Sequence, residues 1–446
     1  MLYNNDFKNF EPRIGFAWDP LKTGKTSVRA GYGIFHDRIF GNLFGNARGN
    51  PPFQRDISNF PGDVLSNIPI LPNATATATI QDIDPLTQFA WLASPVLFDK
   101  NLKIPYSQNW NFGVQRQIAR DFSLQVSYVG SKGNRVLRVV DGNPPQPQLV
   151  QQLIAAGIPE AALQFNVLRF GALIGALPFN AVNNTAFSSV ALNKSTASSV
   201  YHSLQIEGNK RFSHGLSAHM AYTWSHAIDD ANDGLVVAGT GGRSFPRNSF
   251  NLSEERGSSG FDARHRLVVN YTAELPFGHG KSHLSSGIAG KVLEGWQLSG
   301  LSAWQTGFPI DVFGNRDTEH TGFSSRLDLI GNPAPPAGSP RAQTGPVVTA
   351  FSRAAFGRPG NVGKNHFYGP GFADTNAVIS KTTTLKESLK IEMRAEFFNV
   401  FNQAHFSGPG NTIQSPGTFG ISTTAVSNPD GTTSARQLQF GAKLIF

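Results

Sequence analysis

The 446-residue sequence contains no cysteine. A disulfide framework, thiolate chemistry and Cys-ligated metal centres are therefore outside its repertoire, and the chain tolerates an oxidising compartment. It is also poor in charge. Asp, Glu, Lys and Arg make up 15% of the chain, against roughly 25% in an average soluble protein. No window holds the ~18 or more apolar residues that a membrane-crossing helix needs. The opening Met1-Leu2-Tyr3-Asn4-Asn5-Asp6 has no positive region followed by an apolar run, so no secretory signal peptide is expected there. Only three residues are methionine, whereas 46 are glycine and 35 are phenylalanine. Little charge with abundant Gly and Phe suits an all-β chain with one apolar face. The net charge is +8, with Lys and Arg scattered rather than run together. That pattern fits a solvated polar face and loops, not a nucleic-acid surface.

Period-two alternation is the dominant signal. Successive strand side chains point to opposite faces, so alternation marks a sheet with one apolar side. Leu216, Ala218, Met220, Tyr222 and Trp224 interleave with Ser217, His219, Ala221, Thr223 and Ser225. Phe122, Leu124, Val126 and Tyr128 do so around Ser123, Gln125 and Ser127, and Leu389, Ile391, Met393, Ala395 and Phe397 around Lys390, Glu392, Arg394 and Glu396. Eleven such segments are expected near 12–18, 26–36, 108–118, 121–130, 201–212, 215–226, 264–277, 295–306, 374–383, 388–401 and 435–446. Many are about ten residues long, the length a tilted strand needs to cross a bilayer. Connections alternate in length. Short turns at 118–121, 213–215 and 384–388 alternate with long stretches near 37–107, 131–200, 227–263, 307–373 and 402–434. Structureless loops of that length argue against a compact soluble domain. They suit an outer-membrane barrel, whose periplasmic turns are short and extracellular loops long. One loop is expected to carry a short exposed helix, Leu149–Ala156, ended by Gly157.

No motif points to catalysis. Thr23-Gly24-Lys25-Thr26 has the end of a phosphate-binding loop, but Asp19 stands where the first Gly belongs and a strand follows instead of a helix. It reads as a basic hairpin turn. Gly31-Tyr32-Gly33 lacks the third Gly of a dinucleotide fingerprint; glycine beside an aromatic relieves crowding on a strand. His279 and His283 are four apart but fall on a turn, and His214 and His219 have no carboxylate near them in sequence. Asp229, Asp230, Asn232 and Asp233 resemble part of a calcium loop with the wrong ligand offsets. There is no G-x-S-x-G nucleophile elbow. No catalytic residue, cofactor or metal ligand is assigned.

The aromatics carry more information. Tyr128, Tyr222, Trp224, Trp296 and Trp304 fall on expected strands or at their ends. Tyr and Trp favour the membrane–water interface, where one end of the ring is buried and the other hydrogen-bonds. These five are the candidate interface residues.

Taken in order, several stretches resemble the TonB-dependent outer-membrane transporters, and most closely the Oar-like receptors with a carboxypeptidase-regulatory-like N-terminal domain. They are Phe10-Glu11-Pro12-Arg13-Ile14-Gly15-Phe16-Ala17-Trp18, Val28-Arg29-Ala30-Gly31-Tyr32-Gly33-Ile34-Phe35, Tyr106-Ser107-Gln108-Asn109-Trp110-Asn111 and Tyr128-Val129-Gly130-Ser131-Lys132-Gly133. Tyr201-His202-Ser203-Leu204-Gln205, Tyr222-Thr223-Trp224-Ser225, Arg264-His265-Arg266-Leu267-Val268 and Arg394-Ala395-Glu396-Phe397-Phe398-Asn399-Val400-Phe401-Asn402 continue the series. The closing Leu438, Phe440, Leu444 and Phe446 resemble the signal that the barrel-assembly machinery reads.

The resemblance implies an antiparallel transmembrane β-barrel in the outer membrane of a Gram-negative bacterium. About 11 strands would be half of a barrel of about 22. Residues 1–446 are accordingly expected to be the C-terminal part of the barrel domain, with signal peptide, energy-coupling box and plug domain absent. The implied function is energy-coupled uptake of an unidentified ligand. The implied partners are outer-membrane lipid, the barrel-assembly machinery, that extracellular ligand, and the TonB protein acting through the missing N-terminal part. A non-transporting structural or adhesive barrel, a self-contained porin and a soluble secreted β-protein are the alternatives.

Overall fold

The computed structural model describes residues 4, 6, 8–39, 41–45, 47, 95–164, 168, 189–231, 245–314, 316–386, 389–426 and 435–446. Eleven strands pair in chain order into one antiparallel sheet. They are β1 (Arg13–Trp18), β2 (Thr26–His36), β3 (Tyr106–Ala119), β4 (Phe122–Asp141), β5 (Ala191–Ser213), β6 (Leu216–Asp229), β7 (His265–Glu274), β8 (Trp296–Gln305), β9 (Phe372–Lys386), β10 (Leu389–Phe398) and β11 (Gln437–Ile445). Every segment expected from alternation is one of these strands. Two short strands join the sheet's margin: Val96–Phe98 runs parallel to the start of β5, and Gly257–Ser258 pairs with the end of β6. Among the described residues β1 and β11 each leave one edge unpaired.

The register separates two faces. Trp18, Val28, Val114, Val126, Ile206, Tyr222, Leu267 and Trp304 stand side by side across β1–β8. One residue along, the neighbouring row on the opposite face reads Arg29, Gly113, Ser127, Gln205, Thr223, Arg266 and Gln305. One face is thus predominantly apolar and the other predominantly polar, with exceptions such as Leu301 on the polar face and Lys381 on the apolar one.

The apolar face is not the core. Phe16, Trp18, Phe112, Trp224, Met393 and Phe440 are all exposed, and Val28, Val114, Ile206, Tyr222 and Leu267 on the same face are half-buried. A water-soluble protein rarely exposes apolar area on this scale. The buried clusters lie among the long connections. Val312, Leu327, Ala350, Phe351, Val362 and Phe419 form one, drawn from the β8–β9 and β10–β11 connections. Val96, Val139, Ala191 and Phe245 form another. Two short ribbons, Leu327–Leu329 with Phe351–Arg353 and Pro309–Ile310 with Phe367–Tyr368, stiffen the β8–β9 connection.

The long connections therefore differ from the structureless loops expected from sequence. The stretch 131–200 holds the outer part of β4 and the start of β5, paired through Arg138↔Lys194 to Asp141↔Ala191. There Arg138, Val139, Val140 and Asp141 are all buried. With both faces covered, alternation disappears and with it the sequence signal. The loop helix exists as Pro147–Ala155, but it is not simply exposed: Val150 and Leu153 are buried against Leu163 and Leu168.

The opposite end of the sheet holds tight turns. His214 and Gly215, both at positive φ (50° and 77°), form a two-residue turn between paired Ser213 and Leu216, as the twist of a hairpin favours. Thr23-Gly24-Lys25-Thr26 lies in and after the β1–β2 turn, where the Asp19 carboxylate accepts from Gly24 N at 2.6 Å and Leu21 N at 3.2 Å.

Candidate functional site

The five candidate interface aromatics all lie on the apolar face, at two levels. Tyr128, Tyr222, Trp224 and Trp304 lie toward the end that carries the long connections, and Trp296 stands at the first position of β8, beside the short turns. Tyr128, Tyr222 and Trp296 are hydrogen-bonded through their polar atoms. Trp110 Nε1 donates to Tyr128 Oη at 3.3 Å, and that hydroxyl contacts His202 Nδ1 at 2.6 Å. Tyr222 Oη contacts His265 Nδ1 at 2.8 Å, while Trp224 stacks parallel to the same imidazole at 6.4 Å. Trp296 Nε1 donates to the Val292 carbonyl at 3.2 Å, and the Lys381 ammonium lies 5.6 Å from its ring centroid. The terminal set shares this face: Leu438, Phe440 and Leu444 pair with Phe397, Ala395 and Ile391, and the final Phe446 is 91% exposed.

Glycine supports the aromatics. A Cβ on Gly130 would sit 2.2 Å from Trp110 Nε1, and one on Gly300 would sit 2.7 Å from the Tyr271 ring. In each case the ring lies over the bare backbone of the neighbouring strand, which gains packing that the glycine alone lacks.

The polar face carries a basic cavity near the short turns. Lys25, Arg29, Arg120 and Arg211 line a space of about 400 Å³ with Gln115, Gln117, Ser123 and Asn209. None of the four cations has a carboxylate partner among the described residues. The one nearby carboxylate, Asp121, is held by Lys210 and Ser213. Those bonds keep its pKa far below the usual carboxylate range. A second cavity of about 280 Å³, lined by Asn111, Gln125, Ser127 and Gln205, continues along the same face. Sequence reading saw only scattered cations. Antiparallel register gathers residues from positions 25 to 211, and no local motif announces that.

At the other end a buried ionic lattice ties the connections together. Arg247 donates to Ser324 O at 2.7 Å and to Asp311 Oδ2 at 3.1 Å, with its guanidinium 4.5 Å over the Phe313 ring. Burial lowers its pKa, and the Asp311 charge opposes that shift. Arg326 donates to Glu254 O at 2.8 Å and Glu255 Oε2 at 3.2 Å, and lies 3.7 Å from Asp311. Beside it, burial raises the pKa of Asp317 against hydrogen bonds from Gly322 N and Thr321 N. Burial, reinforced by the charge of Glu254, raises that of Glu319. A second knot centres on buried Asp262, which accepts from Tyr368 Oη at 3.0 Å and Ala227 N at 2.7 Å and pairs with His226 and Arg264, both at 3.1 Å. These partners come from separate connections, and no local motif in the sequence marks them.

Three motif readings gain definition. Asp229 pairs with Lys364 Nζ and Asp230 with Arg138 Nη2, each at 2.6 Å, so both carboxylates serve as counter-ions; Asn232 and Asp233 lie outside the described residues. His219 does have a carboxylate beside it, contrary to expectation: Glu207 of the adjacent strand lies 2.7 Å from Nε2. Its proximity comes from strand pairing, not from sequence. His283 lies 2.9 Å from the Ser282 hydroxyl in the turn after β7.

An exposed apolar face, a polar reverse face and interface-type aromatics at both ends describe a sheet whose solvent on one side is lipid. Among solved structures the chain is similar to the outer membrane transporter YddB from Escherichia coli, at 10% identity and a TM-score of 0.44, covering 97% of this chain and 40% of that one. It is similar to the siderophore receptor PiuA from Acinetobacter baumannii at 6% and 0.42, covering 97% and 35%. It is similar to the ferripyoverdine receptor of the outer membrane of Pseudomonas aeruginosa at 11% and 0.41, covering 98% and 32%. The chain thus spans well under half the length of these proteins. No curated protein matches its sequence. The family model for the outer membrane beta barrel domain matches residues 1–439, nearly the whole length over which the two-faced sheet runs, and the chain belongs to that family of the outer membrane.

Proposed function

We propose that this chain is the C-terminal part of a TonB-dependent receptor of the Oar-like group, and that the complete barrel takes up an extracellular ligand by energy coupling from the inner membrane. The carrying observation is the open eleven-stranded sheet with a polar reverse face. Strands β1 and β11, first and last of an odd-numbered antiparallel series, run in the same direction. Pairing them with each other would make a parallel junction. An all-antiparallel barrel therefore needs a further odd number of strands between these edges, and lipid does not tolerate open edges. About eleven more give the ~22 strands of a transporter. The polar face, with its cavities, then lines the lumen. The long connections, packed on their own clusters, form the outer mouth, where binding groups gather on a rigid scaffold. The ordered resemblances from Phe10 to Asn402 support the same assignment.

The test compares three strains: the parent, one lacking this gene, and one lacking TonB. The culture medium of each is profiled for solutes left behind. A solute retained by both deletion strains and consumed by the parent is the expected result, and it names the ligand. If deletion of this gene leaves every solute consumed as in the parent, transport is wrong, and a structural or adhesive barrel takes its place.

A further inference from the structure

The β7–β8 connection breaks the rule of short turns at its end of the sheet. It runs over residues 275–295 and contains a helix, Gly287–Leu293. Residues 282–289 are exposed throughout. The exposed apolar side chains are Leu284, Ile288 and Val292, with Ile288 83% exposed. Ile288 and Val292 are four apart and share a helix face. The helix ends at Leu293, and Trp296 is the first residue of β8.

The helix is tied to the lipid side of the wall. The Val292 carbonyl accepts from Trp296 Nε1 at 3.2 Å and from Lys381 Nζ at 2.6 Å. Trp296 and Lys381 are cross-strand partners on the same face as Leu298, Ile379 and Trp304. The apolar stripe is therefore continuous with the lipid-facing surface at its lower rim. Lys291 is exposed beside it, and Lys381 reaches past the indole to the helix end. Cationic heads on apolar stems at such a rim suit phosphate headgroups.

We infer that this connection is an interfacial anchor: Leu284, Ile288 and Val292 enter the headgroup–acyl boundary of the inner leaflet, and Lys291 and Lys381 face phospholipid phosphates. The occupant is phospholipid, because the stripe extends a surface already in lipid and meets the bilayer at the depth of its interface tryptophan. A short amphipathic helix lying in the interface plane is a known way of adding membrane contact. Here it would fix the vertical position and tilt of one side of the wall.

The absence of cysteine from these residues allows clean labelling. Ile288→Cys, with Leu284→Cys as a second site, carries the environment-sensitive fluorophore NBD. Lys22→Cys in the β1–β2 turn at the same end is the reference. Each protein is purified from outer membranes as the cell assembles it and reconstituted into phosphatidylethanolamine–phosphatidylglycerol vesicles. A fraction of the lipids carries a doxyl quencher near the headgroup. Expected are blue-shifted emission at 288 and 284, protection from aqueous iodide, and lipid quenching roughly two-fold or more greater than at position 22. Ile288→Asp with the label on Ala289→Cys is expected to abolish the lipid quenching while the folded electrophoretic band persists. Labels at 288 and 284 that iodide reaches as freely as at 22, with no excess lipid quenching, would overturn the anchor and leave a water-exposed connection open to a periplasmic protein.

Discussion

Trp296 and Trp304 lie on one strand and one face, at opposite ends of β8: Trp296 pairs with Lys381 and Trp304 with Ala373. Their spacing corresponds to roughly 26 Å along the strand at ~3.3 Å per residue. Tilted by ~40°, that is ~20 Å of height, close to the ~25 Å apolar band of an outer-membrane barrel. In proteins retaining either Trp296 or Trp304 as the sole tryptophan, the other five of the six replaced by phenylalanine, indole fluorescence is expected to be quenched more by spin labels near the headgroup than by labels at the bilayer centre. Stronger quenching at the centre for either indole would remove it from the interface.

Phe446 and Phe440 are proposed to belong to the assembly signal. Deleting Phe446 or replacing Phe440 with Asp is expected to lower the amount of folded protein in the outer membrane. Both should leave synthesis unchanged and let unfolded chain accumulate in the periplasm. Immunoblots of fractionated cells, heated and unheated, separate these outcomes. Wild-type levels of folded band would refute the role.

Two glycines are expected to differ in cost. At Gly295, φ is 74° and a Cβ would meet the Thr382 carbonyl oxygen at 2.2 Å, so both backbone conformation and fixed backbone resist a side chain. Gly295→Ala should destabilise by about 2 kcal/mol or more. At Gly130 the obstacle is the Trp110 indole, which can swing aside at the loss of its Tyr128 bond, so Gly130→Ala should cost nearer ~1 kcal/mol. Urea unfolding in detergent, followed by the folded gel band, measures both. The reverse order would count against the packing described.

Removing one partner of the buried lattice exposes its role. Arg247→Ala leaves half-buried Asp311 with a hydrogen bond from Val312 N and, as its one charge partner among the described residues, Arg326 at 3.7 Å, so the cost is expected to fall below the ~3–5 kcal/mol of a fully stranded buried charge. The loss should fall on the connections, not on the barrel wall. New protease cleavages within 306–371, with the folded band retained, are expected. An unchanged cleavage pattern would mean that the lattice does not hold the connections.

Acid should act on the connections in two opposite steps. Asp317 and Glu319 have folded pKa values raised above 3.8 and 4.5. Their ionisation costs stability at neutral pH, and the cost is relieved as pH falls through those raised values. Asp328 is lowered below 3.8, mainly by the Arg358 hydrogen bond. Its contribution is full above the unfolded value and is lost as pH falls through the lower folded one. Resistance of the 306–371 connection to an acid-tolerant protease should rise on mild acidification and fall below about pH 4. Glu319→Gln should raise resistance at neutral pH and flatten the rise.

The legible parts were those that repeat locally. Alternation placed β2 at 26–36, as observed, because a strand with one face in lipid and one in water must alternate. It missed the outer part of β4, from Arg138 to Asp141, where both faces are covered. The same limit hid the amphipathic side of the Pro147–Ala155 helix, whose partners Leu163 and Leu168 lie beyond its end.

By itself, the sequence determined where the eleven described wall strands lie and which face most of their residues take. These follow from period-two side-chain geometry and turn chemistry, both local. Only the tertiary structure decided that Lys25, Arg29, Arg120 and Arg211 share one cavity, that Arg247 and Arg326 share Asp311, and that the Gly287–Leu293 helix hangs from the lipid side at Trp296. Those groupings depend on strand register and on packing between distant connections, and a carboxylate finds its cation only once the backbone has brought both to the same place.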